Sequence, residues 1–120
     1  FNTASYRVGN KADKILQKLA DVINSEPSLD VMVEGHTDAR SINTDKIADN
    51  WDLSVLRATS VVRKLQKQFK VAPEQLIASG RSSYQPLVDN DSRENRAKNR
   101  RTRIILMPNI DKFFALMEEK

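Results

Sequence analysis

Asp38 and Arg57 carry opposite charges on two stretches of chain whose local patterns can bring them to one opening. Asp38 ends the run Gly35-His36-Thr37-Asp38, which follows Val31 to Glu34, where Met32 and Glu34 alternate with Val31 and Val33. That period of two belongs to a strand, and Gly35 breaks it, so the polar residues after it fall at the strand's C-terminal mouth. Arg57 lies within Trp51 to Phe69, where Val55, Ala58, Val62, Leu65 and Phe69 recur three or four apart and predict one apolar helix face, with Arg57 off it. A carboxylate at a strand end and a guanidinium in the second turn of the next helix can face one gap. There the first would hold an ammonium and the second a carboxylate. As an exposed ion pair the two would add only ~0–1 kcal/mol to stability, so a zwitterionic ligand could replace their mutual contact at little cost.

Other chemistry is weaker. Glu34, the single histidine His36 and Asp38 alternate, as three metal ligands on one side of a strand would, which is the basis of a competing reading as a metal-dependent hydrolase. No second histidine and no cysteine completes such a shell, so the expectation is no metal, with His36 bonded to backbone and orienting the loop. Ser41 and Ser54 lie near in sequence, but nothing marks either as an activated nucleophile. Trp51 could stack on a sugar, yet a tryptophan at a helix start beside a loop is expected to pack into the core edge. The cluster Arg93, Arg96, Lys98, Arg100, Arg101 and Arg103 raises a nucleic-acid reading, because grouped arginines make phosphate contacts. The nearest aromatic is Tyr84, and Glu94 with a net charge of only +4 dilutes the field, so no nucleic-acid partner is expected. Arg96 and Arg100 instead fix the last loop against carboxylates and the ligand, and Arg93, Lys98 and Arg103 are solvated.

Local patterning along the chain sets these residues on strands, helices and loops. The 120 residues suffice for one domain with a two-layer core and no staples, consistent with the lack of cysteine. No apolar run approaches the roughly 18 residues of a membrane span. The opening at Phe1-Asn2 without a leader pattern reads as a piece of a longer protein, and any membrane link would lie in the missing N-terminal segments. Phe1 to Tyr6 is the tail of a first strand. Asn10 to Ser25 is a helix with the apolar stripe Ala12, Ile15, Leu16, Leu19, Val22 and Ile23, stopped by Pro27. A strand over Leu29 to Glu34 follows, then a mobile polar loop, with Asp49 or Asn50 capping the second helix. Leu76 to Ser79 is a short strand ended by Gly80, a loop carries Pro86, Asn90 and Asp91, and Arg101 to Met107 is a strand buried on both faces. Ile110, Phe113, Phe114 and Met117 recur at helical spacing and predict a docked C-terminal helix. The sum is an α/β two-layer sandwich of βαβαββ type, a mixed sheet with helices on one face.

Three separated blocks then carry a family resemblance: VEGHTD, NWDLSVLRATSVVRKL, and RENRAKNRRTRI after Gly80, Pro86 and Asn90. Together they resemble the OmpA-like peptidoglycan-binding domain found in OmpA, Pal lipoproteins and MotB, over nearly the whole of residues 1–120. The NWDLS wording and the long loop between Asp38 and Asn50 are closest to the MotB-like branch. The resemblance implies a non-enzymatic periplasmic module, attached to the inner or outer membrane through its parent protein. It would bind the diaminopimelate of the peptidoglycan stem peptide without covalent chemistry or cofactor, and homodimers are expected. It also implies that Asp38 takes the ligand's ammonium and Arg57 its carboxylate, with Thr37, Asn50, Leu53, Asn99 and Arg100 lining the same pocket. One departure stands out. Many members have a glycine a few residues after the aspartate, and Ala39, Arg40 and Ser41 stand here.

Overall fold

Leu29–Gly35 forms β1, the middle strand of a sheet that among the described residues has three strands, ordered β2-β1-β3. The computed structural model describes residues 5–109 together with Asp111, Phe114 and Met117. β2, Leu76–Gly80, runs parallel to β1 with Val31 opposite Leu76 and Gly35 opposite Gly80. β3, Thr102–Pro108, runs antiparallel, with Leu29 opposite Pro108 and Gly35 opposite Thr102. A parallel pair requires a crossover, and helix α2, Asn50–Lys67, supplies it. Helix α1, Asp13–Ser25, precedes β1 and is entered through a 3-10 turn at Asn10–Ala12. The chain therefore adopts the expected two-layer α/β architecture with a mixed sheet.

The core lies between the helices and one face of β1. Val31 and Val33 are fully buried there against Leu16, Ala20 and Ile23 of α1 and Ala58, Val61 and Leu65 of α2, with Phe69 and Val71 closing the end. Burying side chains of this size removes ~1.5–3 kcal/mol each of apolar exposure, which is the main force holding the layers together. The stripe on α1 is narrower than its sequence suggests, because Ile15 and Val22 face water while Leu16, Ala20 and Ile23 face the sheet.

On α2 the buried face is rotated from the expected one. Leu53, Ser54, Arg57, Ala58, Val61 and Leu65 point inward, and Val55 is exposed. Two glycines account for this. A Cβ on Gly35 would stand 1.8 Å from the carbonyl oxygen of Ser54, and one on Gly80 would stand 2.3 Å from the Ser54 hydroxyl. The first turns of α2 thus rest directly on the ends of β1 and β2, and that close approach turns Ser54 and Arg57 toward the sheet. Gly35 is the last residue of the strand rather than a break in it.

Asp49 caps α2 by accepting from the Asp52 amide at 3.0 Å. A seven-residue helix α3, Arg93–Asn99, occupies part of the stretch read as loop and basic block, with Ser92 as its N-cap, accepting from the Asn95 amide at 3.1 Å. β3 is not buried on both faces: Ile104 packs on the core, but Leu106 is exposed. The predicted first strand lies mostly outside the described residues, and Ser5 and Tyr6 have no regular structure. The predicted C-terminal helix likewise rests on Ile110 and Phe113 outside them. Asp111, Phe114 and Met117 are helical, with Phe114 and Met117 about half exposed.

Candidate functional site

Backbone bonds carry the chain past the end of β1 in an extended path. The amide of His36 donates to the Arg101 carbonyl at 2.8 Å, and that of Thr37 donates to the Ser82 carbonyl at 3.0 Å. Ser82 holds a left-handed φ of 53°, and its own amide donates to the Ser54 hydroxyl at 3.1 Å, so the turn after β2 is pinned to α2. Asp38 therefore emerges between the segment that follows β2 and the one that leads into β3, facing the start of α2.

Thr37, Asp38, Arg40, Ser41, Ile42, Asn50, Leu53, Arg57 and Arg100 line one pocket. Six of the seven residues expected at the site, Thr37, Asp38, Asn50, Leu53, Arg57 and Arg100, are thus brought together. The Asp38 carboxylate is engaged on both oxygens. Oδ2 accepts from Arg100 Nη1 at 2.8 Å and from Arg40 Nη2 at 3.2 Å, and Oδ1 accepts from the Arg40 amide at 3.0 Å. Burial would raise the Asp38 pKa, but the bonds from Arg100 and Arg40 outweigh it and hold the carboxyl below its usual range.

Arg57 is not the solvated arginine of an exposed ion pair. It is fully buried, donating through Nε to the Ser5 carbonyl at 2.8 Å and through Nη1 to the His36 carbonyl at 2.9 Å. Burial pulls its pKa down to about 10, against which the nearby Asp38 charge acts, and it stays cationic at neutral pH.

The loop at 39–49, expected from sequence to be mobile, carries internal hydrogen bonds and ties to α2. Thr44 and Ile47 exchange backbone hydrogen bonds at 2.7 and 3.2 Å, and Ile47 is buried. Asn50 Nδ2 donates to the Arg40 carbonyl at 3.0 Å and to the Asp38 carbonyl at 3.5 Å, clamping the loop start to α2. Asn99 does not line the pocket. Its Oδ1 accepts from the Leu87 and Val88 amides at 2.8 and 3.1 Å, and its Nδ2 donates to the Val88 carbonyl at 2.9 Å and to Asn90 Oδ1 at 2.8 Å. Asn90 Oδ1 in turn accepts from the Ala39 amide at 3.2 Å, so Asn99 acts on the site through the 87–90 loop. The amide next to Asp38 is engaged within the protein, in a loop without the usual glycine.

The sequence matches the OmpA family over residues 1–100. It is 34% identical over 106 residues to the uncharacterized protein YtxE of Bacillus subtilis, covering 88% of this chain and 43% of YtxE. The periplasmic domain of Helicobacter pylori MotB superposes with a TM-score of 0.77 at 26% identity, covering 98% of this chain and 77% of that one. The peptidoglycan-associated lipoprotein of Burkholderia pseudomallei does so with 0.76 at 26% identity, covering 86% and 83%. This chain belongs to the OmpA family. It spans less than half the length of the curated relatives it matches, such as YtxE, the Bacillus motility protein B and the Acinetobacter outer membrane protein Omp38.

In this OmpA-family chain other residues near the pocket can also be set beside their expected places. His36 does not bond backbone through its ring: Nε2 meets Glu34 Oε1 at 2.7 Å, and Arg81 Nε donates to Glu34 Oε2 at 3.1 Å. Burial depresses the His36 pKa despite Glu34, whereas the Glu34 carboxyl, although buried, is held low by Arg81 and His36. Among the described residues no three His, Cys, Asp or Glu side chains are grouped so as to hold a metal ion. Trp51 is not at the core edge. It is half exposed and packs on Tyr84 with ring centroids 5.6 Å apart, because the rotation of α2 that buries Ser54 and Arg57 turns Trp51 outward. In the basic block Arg100 reaches Asp38 and Arg101 donates to the carbonyls of Asn99 and Gln85, while Arg93, Lys98 and Arg103 are exposed. Arg40, Ser41 and Ile42 also line the pocket without having been assigned to it from sequence, and Arg40 is the one of the three that binds Asp38. Its position two after an aspartate, where a backbone amide can cap the carboxylate, was the available signal.

Proposed function

We propose that this chain is a non-enzymatic module that binds peptidoglycan in the cell envelope through the diaminopimelate residue of the stem peptide, and so attaches its parent protein to the wall. The observation that carries this reading is the convergence of Asp38 and Arg57 on one pocket from different elements. Asp38 takes the ammonium of the ligand's free amino-acid end. Arg57 and Arg100 take its carboxylate, Leu53 forms the apolar wall, and Thr37 and Asn50 hold the loop that closes over it. Membership of the OmpA family and the likeness to a peptidoglycan-associated lipoprotein and to a periplasmic MotB domain support the reading. Asp38, held as an anion by Arg100 and Arg40, is suited to pair with an ammonium. A small polar ligand in such a pocket binds weakly, in the micromolar to millimolar range by order of magnitude. Modules held near one another on a repeating polymer gain through effective concentration, so a homodimer would bind the wall far better than one copy.

The test is retention on purified sacculi with free diaminopimelate as competitor. The wild-type chain should sediment with sacculi, release on competition and liberate no soluble wall fragments. Asp38→Asn should lose retention while keeping its fold. Retention that persists in Asp38→Asn, or ignores the competitor, would remove the assignment.

A further inference from the structure

The pocket holds more positive charge than a simple zwitterion can use. Among its described lining residues are three arginines and one acid, Asp38, which gives a formal excess of two positive charges. The three arginines differ in setting. Arg57 is fully buried at the base, and the side chain of Arg100 is 10% exposed, whereas that of Arg40 is 48% exposed at the rim. Arg40 also holds the outer share of a divided contact. Asp38 Oδ2 accepts from both Arg100 at 2.8 Å and Arg40 at 3.2 Å. An incoming ammonium competes with these donors for the carboxylate, and the longer bond, from the half-solvated side chain, is the one that can be given up at least cost.

We infer that Arg40 is a specificity residue that leaves Asp38 when the ligand's ammonium arrives and grips a second carboxylate, so the site favours a head group with two free carboxylates and one ammonium. This rests on the diaminopimelate reading given above. With the side-chain ammonium and carboxylate seated on Asp38 and Arg57, the ligand's main-chain end must point toward the rim, because the rest of the wall polymer has to leave through the opening. Arg40 stands at that rim. The group it meets there is the main-chain carboxylate, which is free where diaminopimelate ends the stem peptide and is tied up in an amide where the peptide continues. A planar guanidinium matches a carboxylate in bidentate fashion, while a carboxamide offers it one oxygen and no charge.

The probes are a synthetic stem tripeptide ending in diaminopimelate and the same tripeptide with its main-chain carboxylate amidated, titrated into the chain by calorimetry at low salt. The side-chain zwitterion is identical in the two. The wild-type chain should bind the free acid about tenfold more tightly than the amide, the worth of one charge-assisted contact. In Arg40→Gln the ratio should fall toward one, and Arg40→Lys should restore part of it. Equal affinity of the wild-type chain for the two probes, or an undiminished ratio in Arg40→Gln, overturns the role of Arg40 and leaves the diaminopimelate reading standing. Failure of the wild-type chain to bind either probe overturns both. Since Arg40 is half exposed on a loop, circular dichroism of Arg40→Gln should match the wild type.

Discussion

Arg57 donates through Nη1 to the backbone carbonyl of His36 at 2.9 Å, and so ties the base of the pocket to the segment that presents Asp38. One guanidinium thereby serves two ends. It offers charge to the pocket and also satisfies a carbonyl beyond the end of β1 and that of Ser5. Arg57→Ala would leave both carbonyls without this donor and open a cavity in a fully buried position. We expect a loss of roughly 3–5 kcal/mol, visible as a large drop in melting temperature, instead of the slight change an exposed arginine would give. Arg57→Lys should recover only part of it, because an ammonium cannot span the two carbonyls with a planar fork. Thermal unfolding of the two variants checks this. A melting temperature for Arg57→Ala within a degree or two of wild type would show that the buried role is wrong.

The seating of α2 on the strand ends makes a second prediction. A methyl group on Gly35 would overlap the Ser54 carbonyl at 1.8 Å, a backbone atom that can retreat only if α2 shifts as a whole. On Gly80 the nearest atoms are side-chain ones, the Ser54 hydroxyl at 2.3 Å and Val55 Cγ2 at 2.7 Å, with the Val55 amide nitrogen at 2.9 Å. Gly35→Ala should therefore be the more damaging, costing more than ~3 kcal/mol or preventing folding, and Gly80→Ala milder by at least ~1 kcal/mol. Urea unfolding of the pair ranks them, and the reverse order would contradict the packing described.

His36 gives the chain a pH dependence of known sign. Its ring donates toward Glu34 through Nε2, and its buried Nδ1 has no hydrogen-bond partner among the described residues. Protonation would place an N–H there with no acceptor, in keeping with a folded pKa below the usual one. The unfolded chain then binds the extra proton first. Stability attributable to His36 is complete above its unfolded pKa of about 6.5 and falls as the pH drops toward the depressed folded value. Asp38 and Glu34, whose pKa values are also lowered, add their losses only when the pH falls below about 4. His36→Gln cannot take up a proton and should flatten the stability profile between pH 7 and 5 while leaving the steeper acid limb. An unchanged slope in that interval would show that His36 does not titrate on unfolding.

Asn99 is predicted to act at a distance. Its amide makes four bonds that fix the 87–90 loop, which reaches the site through Asn90 and Ala39. Asn99→Asp keeps the oxygen facing the Leu87 and Val88 amides but sets a second oxygen against the Val88 carbonyl and Asn90 Oδ1. We expect a cost on the order of 3 kcal/mol and faster hydrogen exchange at the Leu87 and Val88 amides. Wall binding should weaken less than in Asp38→Asn, since Asn99 positions the loop without lining the pocket.

Local sequence made the elements legible because strand alternation, helix periodicity and caps act over a few residues. Leu29 to Glu34, Leu76 to Ser79 and the Asp49 cap of α2 were all readable in that way. The convergence of Asp38 and Arg57 on one pocket was readable, but the depth of Arg57 and the pairing of Asp38 with Arg100 and Arg40 were not. Which side of α2 is buried depends on how closely the helix approaches Gly35 and Gly80, a contact between segments that periodicity alone does not encode. The same rotation explains Val55 and Trp51, both apolar and both placed inside by pattern, yet turned to water. The short α3 had cues too weak to stand alone: Ser92 as a cap, Glu94 in the first turn, and Arg96 and Lys98 in the last. Arg40 was hidden for another reason, since its importance comes from Asp38 Oδ2 being shared with Arg100, far along the chain.

Trp51 offers the last test, because it is the single tryptophan and its setting differs from the one its chemistry suggests. It is 50% exposed and touches Tyr84, itself 71% exposed, in a tilted aromatic contact at the surface. A tryptophan removed from a core costs ~3–5 kcal/mol, whereas a half-exposed pair of this kind contributes ~0.5–1.5 kcal/mol beyond its buried area. Trp51→Ala should therefore lower stability by no more than about 2 kcal/mol, and Tyr84→Ala by less. The fluorescence of the folded wild-type chain should be red-shifted and open to acrylamide quenching, both of which a core indole would resist. Asn50 lies next to Trp51 and clamps the Asp38 loop, so saturating ligand that displaces Arg40 should also change Trp51 emission. A blue-shifted, unquenched spectrum or a core-sized loss of stability in Trp51→Ala would place the ring inside the fold and contradict the orientation of α2.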